Sequence, residues 1–331
     1  MNTVTPTSDQ WATTQYDWPT PPGQVERPVW TGRGFCVGQE TKAILSYEIA
    51  RSGWSDGLTT FHEEHAGSDH CIDRASRRHA LAQLARHIDA PSPVLLEVGC
   101  SSGFFLEGLT DAWPHAKVIG ADYVRRPLEA LAARRGDIPL LQFDLTSCPL
   151  PSDSIDGAVL LNVLEHIQDD AAAVRQVCRI LKPGGVAVIE VPAGPHLYDV
   201  YDQVLLHHRR YRLRDLCDLL RGAGLTILFA SYLGILVYPA FWWVKRRNRR
   251  YLSAPVEIQQ RLVAQAMRKS RRSRFMESLF RLEDQLRRWL PFPFGIRCVA
   301  TCVKEPVPAS AAATRPDRQR HHTHHTVTEA A

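Results

Sequence analysis

The sequence predicts an α/β fold in which a mostly parallel β-sheet carries helices on both faces. Three observations predict it. Residues 93–109 read as a buried strand, a glycine turn and a helix. Apolar strand segments then alternate with amphipathic helical segments through residue 191. Within residues 155–162, the four consecutive apolar residues 158–161 are typical of a central strand that is covered on both sides.

Composition places the chain among globular proteins and points to a cytoplasmic setting. Of its 331 residues, 44% are hydrophobic and 23% are charged, which is enough to build a substantial core. The eight cysteines form no C-x-x-C pair, so we expect reduced thiols rather than a disulfide framework. The N-terminus shows neither a basic nor an apolar region of the kind that marks a signal peptide.

The glycine spacing of the turn at residues 99–103 distinguishes between two kinds of nucleotide-binding site. A dinucleotide site requires G-x-G-x-x-G, and here Ser101 and Phe104 occupy the second and third glycine positions. The pattern acidic-x-G-x-G-x-G fits better, with Glu97, Gly99 and Gly103 in place and Ser101 at the middle glycine. On these residues the chain resembles the class I S-adenosylmethionine-dependent methyltransferases, although a purely structural turn with two glycines is common.

The resemblance implies a Rossmann-like sheet of seven strands, mostly parallel with an antiparallel last strand, and S-adenosylmethionine as the cofactor. It places the acidic residue Glu97 and the turn at the methionine end of the cofactor, and Asp122, which ends the second strand, on the ribose. It places Asp144, which ends the third strand, on the adenine amino group. For both aspartates the alternative is a capping role. The expected cofactor-binding residues are Glu97, Gly99, Cys100, Ser101, Gly103, Asp122, Tyr123, Asp144, Leu145 and Asn162.

Two later segments supply the candidates for acceptor binding and catalysis. Residues 162–166, Asn-Val-Leu-Glu-His, resemble the element after the fourth strand of many small-molecule methyltransferases, where donor and acceptor meet. Residues 192–211, rich in His, Tyr, Asp and Arg, should face the crevice beyond strand five. We expect a catalytic base among His166, His207 and His208, with His166 preferred. The expected acceptor-binding residues are Glu165, His196, Arg209 and Tyr211.

The N-terminal part is expected to lie outside the catalytic domain. Residues 1–73 are interpreted as an arm and active-site cover, residues 74–304 as the methyltransferase domain and residues 305–331 as a disordered tail. The pattern predicts helices at residues 40–51 and 74–88, the second capped by Asp73. His62, His65, His70 and Cys71 could bind a metal, but their spacing matches no zinc pattern, so a histidine-rich loop is preferred and no metal is expected.

A helical insertion at about residues 235–290 is expected between strands six and seven. Residues 225–244 contain no charge, and Gly234 and Pro239 interrupt them, so a strand, a turn and an apolar element near a lipid interface are preferred to a transmembrane helix. Residues 245–274 hold eleven Lys or Arg against one acid, giving +10 there and −5 elsewhere in a chain of net charge +5. An anionic membrane surface, at the inner face of the membrane, is therefore preferred to nucleic acid as a partner.

The sequence thus predicts a methyltransferase that moves a methyl group to an oxygen or nitrogen atom of a small or lipid- or glycan-linked acceptor. Two alternatives remain open at this point: an NAD(P)-dependent oxidoreductase on the same sheet, and a catalytically silent membrane-associated binding protein. The acceptor and the oligomeric state are not indicated by the sequence.

Overall fold

The structure is a computed structural model that describes residues 16–47, 70–269, 274–287 and 290–306. In this part of the chain, an eight-stranded sheet carries helices on both faces. The strands are β1 (Val29–Trp30), β2 (Phe35–Val37), β3 (Glu40–Lys42), β4 (Ile44–Ser46), β5 (Val94–Val98), β6 (Lys117–Asp122), β7 (Leu140–Gln142), β8 (Ile155–Leu161), β9 (Leu181–Pro192), β10 (Leu225–Leu233) and β11 (Arg297–Lys304). The helices are α1 (Cys71–His87), α2 (Phe104–Ala112), α3 (Arg125–Arg134), α4 (Asp170–Ile180), α5 (Val200–Val204), α6 (Leu213–Gly222), α7 (Tyr238–Asn248), α8 (Val256–Lys269) and α9 (Arg274–Leu286).

The strand order of the large sheet is β10-β11-β9-β8-β5-β6-β7-β4. The six strands from β9 to β4 pair in parallel, while β11 runs antiparallel to both β9 and β10. Helices α2, α3 and α4 make the crossovers that parallel neighbours require. The carboxyl ends of the parallel strands therefore meet at one edge of the sheet. The predicted mostly parallel sheet with an antiparallel last strand is confirmed.

The sheet has one strand more than the seven predicted, and that strand comes from the N-terminal segment. β4 pairs in parallel with β7 at the sheet edge. The predicted helix at residues 40–51 is wrong over its described part, where β3 and β4 lie instead. Gly38 explains the difference, because its φ of 61° suits the two-residue hairpin loop between β2 and β3. Trp18 and Trp30 pack on Phe35, with ring centroids 5.0 and 4.7 Å away.

Apolar side chains fill both faces of the large sheet. One cluster packs α4 and α6 against one face, and Val174, Val177 and Leu220 in it are fully buried. The other cluster packs α1, α2 and α3 against the opposite face, with Leu84 and Leu106 fully buried. Each such side chain contributes about 1.5–3 kcal/mol through the apolar area that it removes from water. The sheet is therefore a rigid support for the turns at its carboxyl edge.

Helix α1 begins three residues earlier than predicted. Its N-cap residue is His70 and not Asp73, so the predicted cap is wrong. Asp73 lies instead in the first turn, where its carboxylate accepts a hydrogen bond of 2.7 Å from the Arg297 guanidinium. A carboxylate in the first turn also interacts favourably with the helix dipole, so Asp73 stabilises the helix start without capping it.

The run without charge at residues 225–244 forms β10, a turn and most of α7, as predicted. No helix among the described residues has both the length and the apolar character needed to cross a bilayer. The buried Glu283 of α9 accepts hydrogen bonds from the backbone N–H groups of Gly234 (2.9 Å) and Leu236 (2.6 Å). These two bonds fix α9 beside the segment that leads into α7.

Candidate active site

The glycine turn after β5 adopts a backbone that few other residues would tolerate. Gly99 and Gly103 have φ values of 75° and 78°, and Ser101 between them has 44°. A Cβ atom built on Gly99 would lie 2.6 Å from Cγ2 of Val163, which belongs to the turn after β8. Only glycine therefore fits at position 99 without a shift, and the two turns touch at the carboxyl edge of the sheet.

Two carboxylates border the glycine turn. The carboxylate of Asp122 accepts hydrogen bonds of 2.9 Å from the backbone N–H of Ser101 and of Val124. Glu97 is buried, and among the described residues none donates a hydrogen bond to its Oε2 atom. Burial, together with the charge of Asp122, holds the pKa of Glu97 well above its usual value. A buried oxygen without a donor costs free energy, so a ligand ammonium or hydroxyl group at this position would be stabilising.

The remaining predicted cofactor residues lie at the same edge of the sheet, but they differ in which of their atoms a ligand could reach. The Cys100 side chain packs into the core, since a Cβ on Gly120 would lie 3.2 Å from its sulfur, so Cys100 can offer only its backbone to a ligand. Asp144 accepts hydrogen bonds of 2.8 Å from both the N–H and the hydroxyl of Thr146, which is the predicted capping arrangement. Leu145 is buried beside it, and Tyr123 is half-buried. The adenine and ribose roles of these residues stay predictions.

The turn after β8 places a glutamate inside the protein. Asn162 has a left-handed φ of 57°, and its N–H donates to the carbonyl of Glu190. Glu165 follows in a short 3-10 helix and is fully buried. No other described residue donates a hydrogen bond to either of its carboxylate oxygens. Burial raises the pKa of Glu165 to about 8, against the opposing effect of the Arg297 and Arg210 charges.

Two of the three predicted base candidates meet beside Glu165. The rings of His166 and His207 make an edge-to-face contact, with centroids 4.8 Å apart. Nδ1 of the buried His207 lies 2.8 Å from the carboxylate of Asp202. Burial lowers the pKa of His207, and Asp202 only partly opposes this. The imidazole is therefore neutral near pH 7, and its Nδ1–H donates to Asp202, which leaves Nε2 as the proton-accepting atom.

Asp202 belongs to a buried ionic cluster that the sequence did not reveal. Its carboxylate binds the Arg210 guanidinium at 2.7 Å and the Lys245 ammonium at 3.2 Å, and the same ammonium lies 2.6 Å from Asp199. Burial would raise the pKa of Asp202, but Lys245, His207 and Arg210 outweigh it and leave that pKa below its usual value. Lys245 is contributed by α7, 43 positions from Asp202, so no local pattern could have indicated the pair.

The other predicted acceptor-site residues have different surroundings. The His208 side chain is exposed, while its backbone N–H donates to the carbonyl of Glu165. Nε2 of His196 lies 2.9 Å from the hydroxyl of Tyr238 at the start of α7. Arg209 and Tyr211 both bind the carboxylate of Asp170 at 2.7 Å. These last two hold residues 192–211 against α4, and their contact with substrate stays a prediction.

A second buried ion pair lies at the ends of β9 and β11. The Arg297 guanidinium binds Glu190, and the Ser76 hydroxyl donates to the same carboxylate at 2.7 Å. Arg297 also lowers the pKa of Glu165 and that of the half-buried Tyr201, against the larger effect of burial. Sequence reasoning missed this pair because a charged residue inside a strand reads as a surface position unless its partner is known.

One group of residues has the size of a metal site. Glu165, His166 and His207 offer ligand atoms that all lie within 4.8 Å of one another. Asp202, whose charge would help to balance a divalent cation, is already paired with Arg210 and Lys245. The group is therefore better suited to accepting a proton than to holding a cation. Of the histidine-rich segment considered at the sequence level, His62 and His65 lie outside the described residues.

Comparison with known proteins agrees with this architecture. A family model described as a methyltransferase domain matches residues 71–229. The chain is 32% identical over 135 residues to a probable S-adenosylmethionine-dependent methyltransferase of Mycolicibacterium smegmatis, a match covering 40% of this chain and 52% of that protein. It is 31% identical over 176 residues to the ubiquinone/menaquinone biosynthesis C-methyltransferase UbiE of Syntrophotalea carbinolica, covering 51% of this chain and 69% of the relative. The chain thus spans about half to two thirds of the length of these two relatives.

Among solved structures, the phosphoethanolamine N-methyltransferase 2 of Haemonchus contortus has a similar fold. Its structure with phosphomonomethylethanolamine and S-adenosylhomocysteine superposes with a TM-score of 0.50, at 14% identity, over 78% of this chain and 61% of that one. At that identity the similarity concerns the fold alone.

Proposed function

The chain belongs to the class I S-adenosylmethionine-dependent methyltransferases, and we propose that it methylates an oxygen or nitrogen atom of a small or lipid- or glycan-linked acceptor. The observation that carries the proposal is the group of Glu165, His166 and His207, in which Glu165 and His207 are buried. Glu165 and His166 directly follow the turn whose Val163 would touch a Cβ at Gly99. A proton-accepting group beside the cofactor turn is what an O–H or N–H acceptor requires. The family assignment removes the nicotinamide oxidoreductase from consideration.

The residues around the glycine turn fit the cofactor. Glu97 would receive the ammonium of its methionine part, because its buried Oε2 otherwise lacks a donor among the described residues. Asp122 would accept the ribose hydroxyls, since a carboxylate oxygen can accept more than one hydrogen bond. Asp144 and Leu145 would contact the adenine. Bound S-adenosylmethionine supplies a methyl group on a sulfonium, which is already a strong electrophile.

The protein's own contribution is to orient the acceptor and take its proton. His207 is better prepared for the second task than His166, because Asp202 fixes its tautomer and leaves Nε2 to accept a proton. Glu165, which is largely protonated at neutral pH, can donate a hydrogen bond to the acceptor. His166 lies against the His207 ring and narrows the space in which the acceptor must sit.

Transfer of a radiolabelled methyl group from S-adenosylmethionine into cell-extracted lipids and metabolites tests the proposal. We expect His207→Gln to lower transfer about 100-fold or more, since general-base catalysis contributes roughly 10²–10⁴. The affinity for S-adenosylhomocysteine, measured by calorimetry, should stay within about threefold. His208→Gln is the matched control, because the neighbouring side chain is exposed.

Three results would count against the proposed function. Cofactor binding without transfer to any acceptor would favour a catalytically silent binding protein. Equal loss of transfer in the His207 and His208 variants would remove the base role of His207. Methylation of carbon alone would contradict the oxygen or nitrogen acceptor.

An apolar and basic surface supports a lipid-linked acceptor and contact with an anionic membrane. Trp242 and Trp243 of α7 are 41% and 57% exposed, and Leu236 and Phe294 nearby are exposed as well. Sequence positions 219–256 contain no Asp or Glu. Exposed tryptophans next to arginines are typical of surfaces that bind the lipid interface. Cosedimentation with vesicles of phosphatidylglycerol and phosphatidylcholine, but not of phosphatidylcholine alone, is the expected result.

A further inference from the structure

Helix α7 presents two faces of opposite character. On the outer face, the guanidinium groups of Arg246 and Arg247 lie 5.7 and 4.9 Å from the ring centroids of Trp242 and Trp243. All four side chains are exposed. Stacking keeps each positive charge at the level of an apolar ring, so the face offers charge and apolar area together. The headgroup region of an anionic bilayer presents the complementary combination.

The inner face of α7 contributes Lys245, whose side chain is only 6% exposed. Its ammonium binds Asp199 at 2.6 Å and Asp202 at 3.2 Å, and it lies 4.8 and 5.3 Å from the ring centroids of Tyr201 and Phe241. A buried ammonium is tolerated only while carboxylates and rings replace its water. The position of α7 and the conformation of residues 199–202 therefore depend on each other.

Asp202 connects Lys245 of α7 with the acceptor site. The Asp202 carboxylate, which binds Lys245, also accepts a hydrogen bond from Arg210 and orients the ring of His207. If α7 leaves its place, Asp202 loses one of its two full positive charges, and the segment that carries His207 loses a support. One buried lysine thus connects the lipid-facing helix with the proton-accepting histidine.

We propose that an anionic bilayer surface binds the outer face of α7 and thereby orders the acceptor site, with Lys245 as the positioning residue. The inference rests on the membrane contact under the proposed function and extends it to regulation of the same site. Lipid binding stabilises the seated helix, and the seated helix favours the arrangement in which Lys245, Asp202 and His207 are joined. Methyl transfer is then fastest where a lipid-linked acceptor is found.

The bilayer fits this surface better than nucleic acid or a second copy of the chain does. Nucleic acid needs positive charge that follows a backbone, whereas here Arg246 and Arg247 each stack on an exposed tryptophan, and Leu236 and Phe294 extend the apolar area. A second copy would bring identical positive charges together across a symmetric contact. Both remain outcomes that the test below distinguishes.

Hydrogen–deuterium exchange of the full chain, measured with and without vesicles, tests the coupling. With phosphatidylglycerol-containing vesicles we expect exchange to slow at least threefold in residues 238–251 and also in residues 199–211. Phosphatidylcholine vesicles should leave both segments unchanged. In Lys245→Met, vesicle binding and the slowing at 238–251 should persist, but residues 199–211 should no longer respond. Lys182→Met is the control, because Lys182 pairs with Asp156 at 2.7 Å on an unrelated part of the fold.

Each other outcome has a definite meaning. Slowing at 238–251 alone in the wild-type chain would overturn the coupling and leave the membrane contact in place. No vesicle binding at all, with S-adenosylhomocysteine binding intact, would overturn the membrane contact and this inference but not the methyltransferase function. Slowing of both segments by a DNA oligonucleotide, or only by raised protein concentration, would assign the surface to nucleic acid or to self-association. If Lys245→Met does not fold, the double variant Trp242→Ala/Trp243→Ala keeps Lys245 and should abolish the response of both segments.

Discussion

Replacing Glu165 by glutamine should change the way in which the stability of this protein depends on pH. The native carboxyl group is fully buried and has a pKa of about 8, whereas in the unfolded chain the pKa has its usual value of 4.5. Between these two values the native state keeps a proton that the unfolded state releases. Raising the pH therefore favours unfolding, and the stability present below pH 4.5 is progressively lost until pH 8. Glutamine carries no titrating proton and removes this loss.

The size of the effect follows from the pKa difference. Each unit corresponds to about 1.4 kcal/mol, so the full loss attached to Glu165 is about 5 kcal/mol. Between pH 5.5 and 7.5, where the native group is mostly protonated, the wild-type chain should lose about 2.5 kcal/mol that the Glu165→Gln variant retains. The difference between the two free energies of unfolding isolates this group, because all other titrating groups are shared.

Denaturant unfolding of both chains at pH 5.5, 6.5 and 7.5 provides the measurement. The variant should gain stability relative to the wild type as the pH rises. Glu129→Gln is a suitable control, since its side chain is 58% exposed, and we expect a change of no more than about 0.5 kcal/mol at any of these pH values. If the two free energies of unfolding differ by the same amount at all three pH values, the native Glu165 carboxylate is ionised. The assignment of Glu165 as a neutral acceptor-site group would then fail.

Three further predictions concern the turn, the second ion pair and the thiols. In Gly99→Ala, alanine must adopt the left-handed backbone of this position, and its Cβ lies 2.6 Å from Val163, so calorimetry should show at least tenfold weaker binding of S-adenosylhomocysteine. Gly222→Ala is the control and should bind normally, because a Cβ at position 222 has no atom within 4 Å. Arg297→Met leaves the buried Glu190 without its cation and should lower the free energy of unfolding by about 3–5 kcal/mol. Adding Glu190→Gln to the same chain should recover part of that stability. Only two of the eight free thiols are partly exposed, so Ellman's reagent should modify at most two in the folded protein and all eight after denaturation.

The parts of the fold that depend on local patterns could be predicted from the sequence. The strand, glycine turn and helix at residues 93–109 occur as expected, because the apolar run, the two glycines and the following amphipathic stretch each restrict the backbone independently. The same is true of β8, which was recognised from its apolar run. Agreement among several weak local signals is what made these elements predictable.

Elements that depend on distant partners could not be predicted in the same way. β4 is three residues long and is stabilised as a strand by pairing with β7, nearly 100 positions later. The sequence of residues 40–51 alone suits a helix about as well, and the hairpin turn at Gly38 and the sheet edge decide between the two. The Asp202–Lys245 pair was missed for the same reason, since neither residue lies in a pattern that indicates burial.

His207 and His208 are both base candidates in the sequence, but the sequence does not indicate which of the two side chains points inward. The preceding residue, Leu206, has a left-handed φ of 54° and a side chain that is 51% exposed. Both features are unfavourable for a leucine, with the backbone conformation alone costing about 1–2 kcal/mol. This turn directs His207 inward to Asp202 and leaves His208 at the surface. Strain of this kind persists where the surrounding contacts outweigh it. The buried bonds of Asp202 to His207, Arg210 and Lys245 are those contacts, so the ionic cluster is what selects the histidine that faces Glu165.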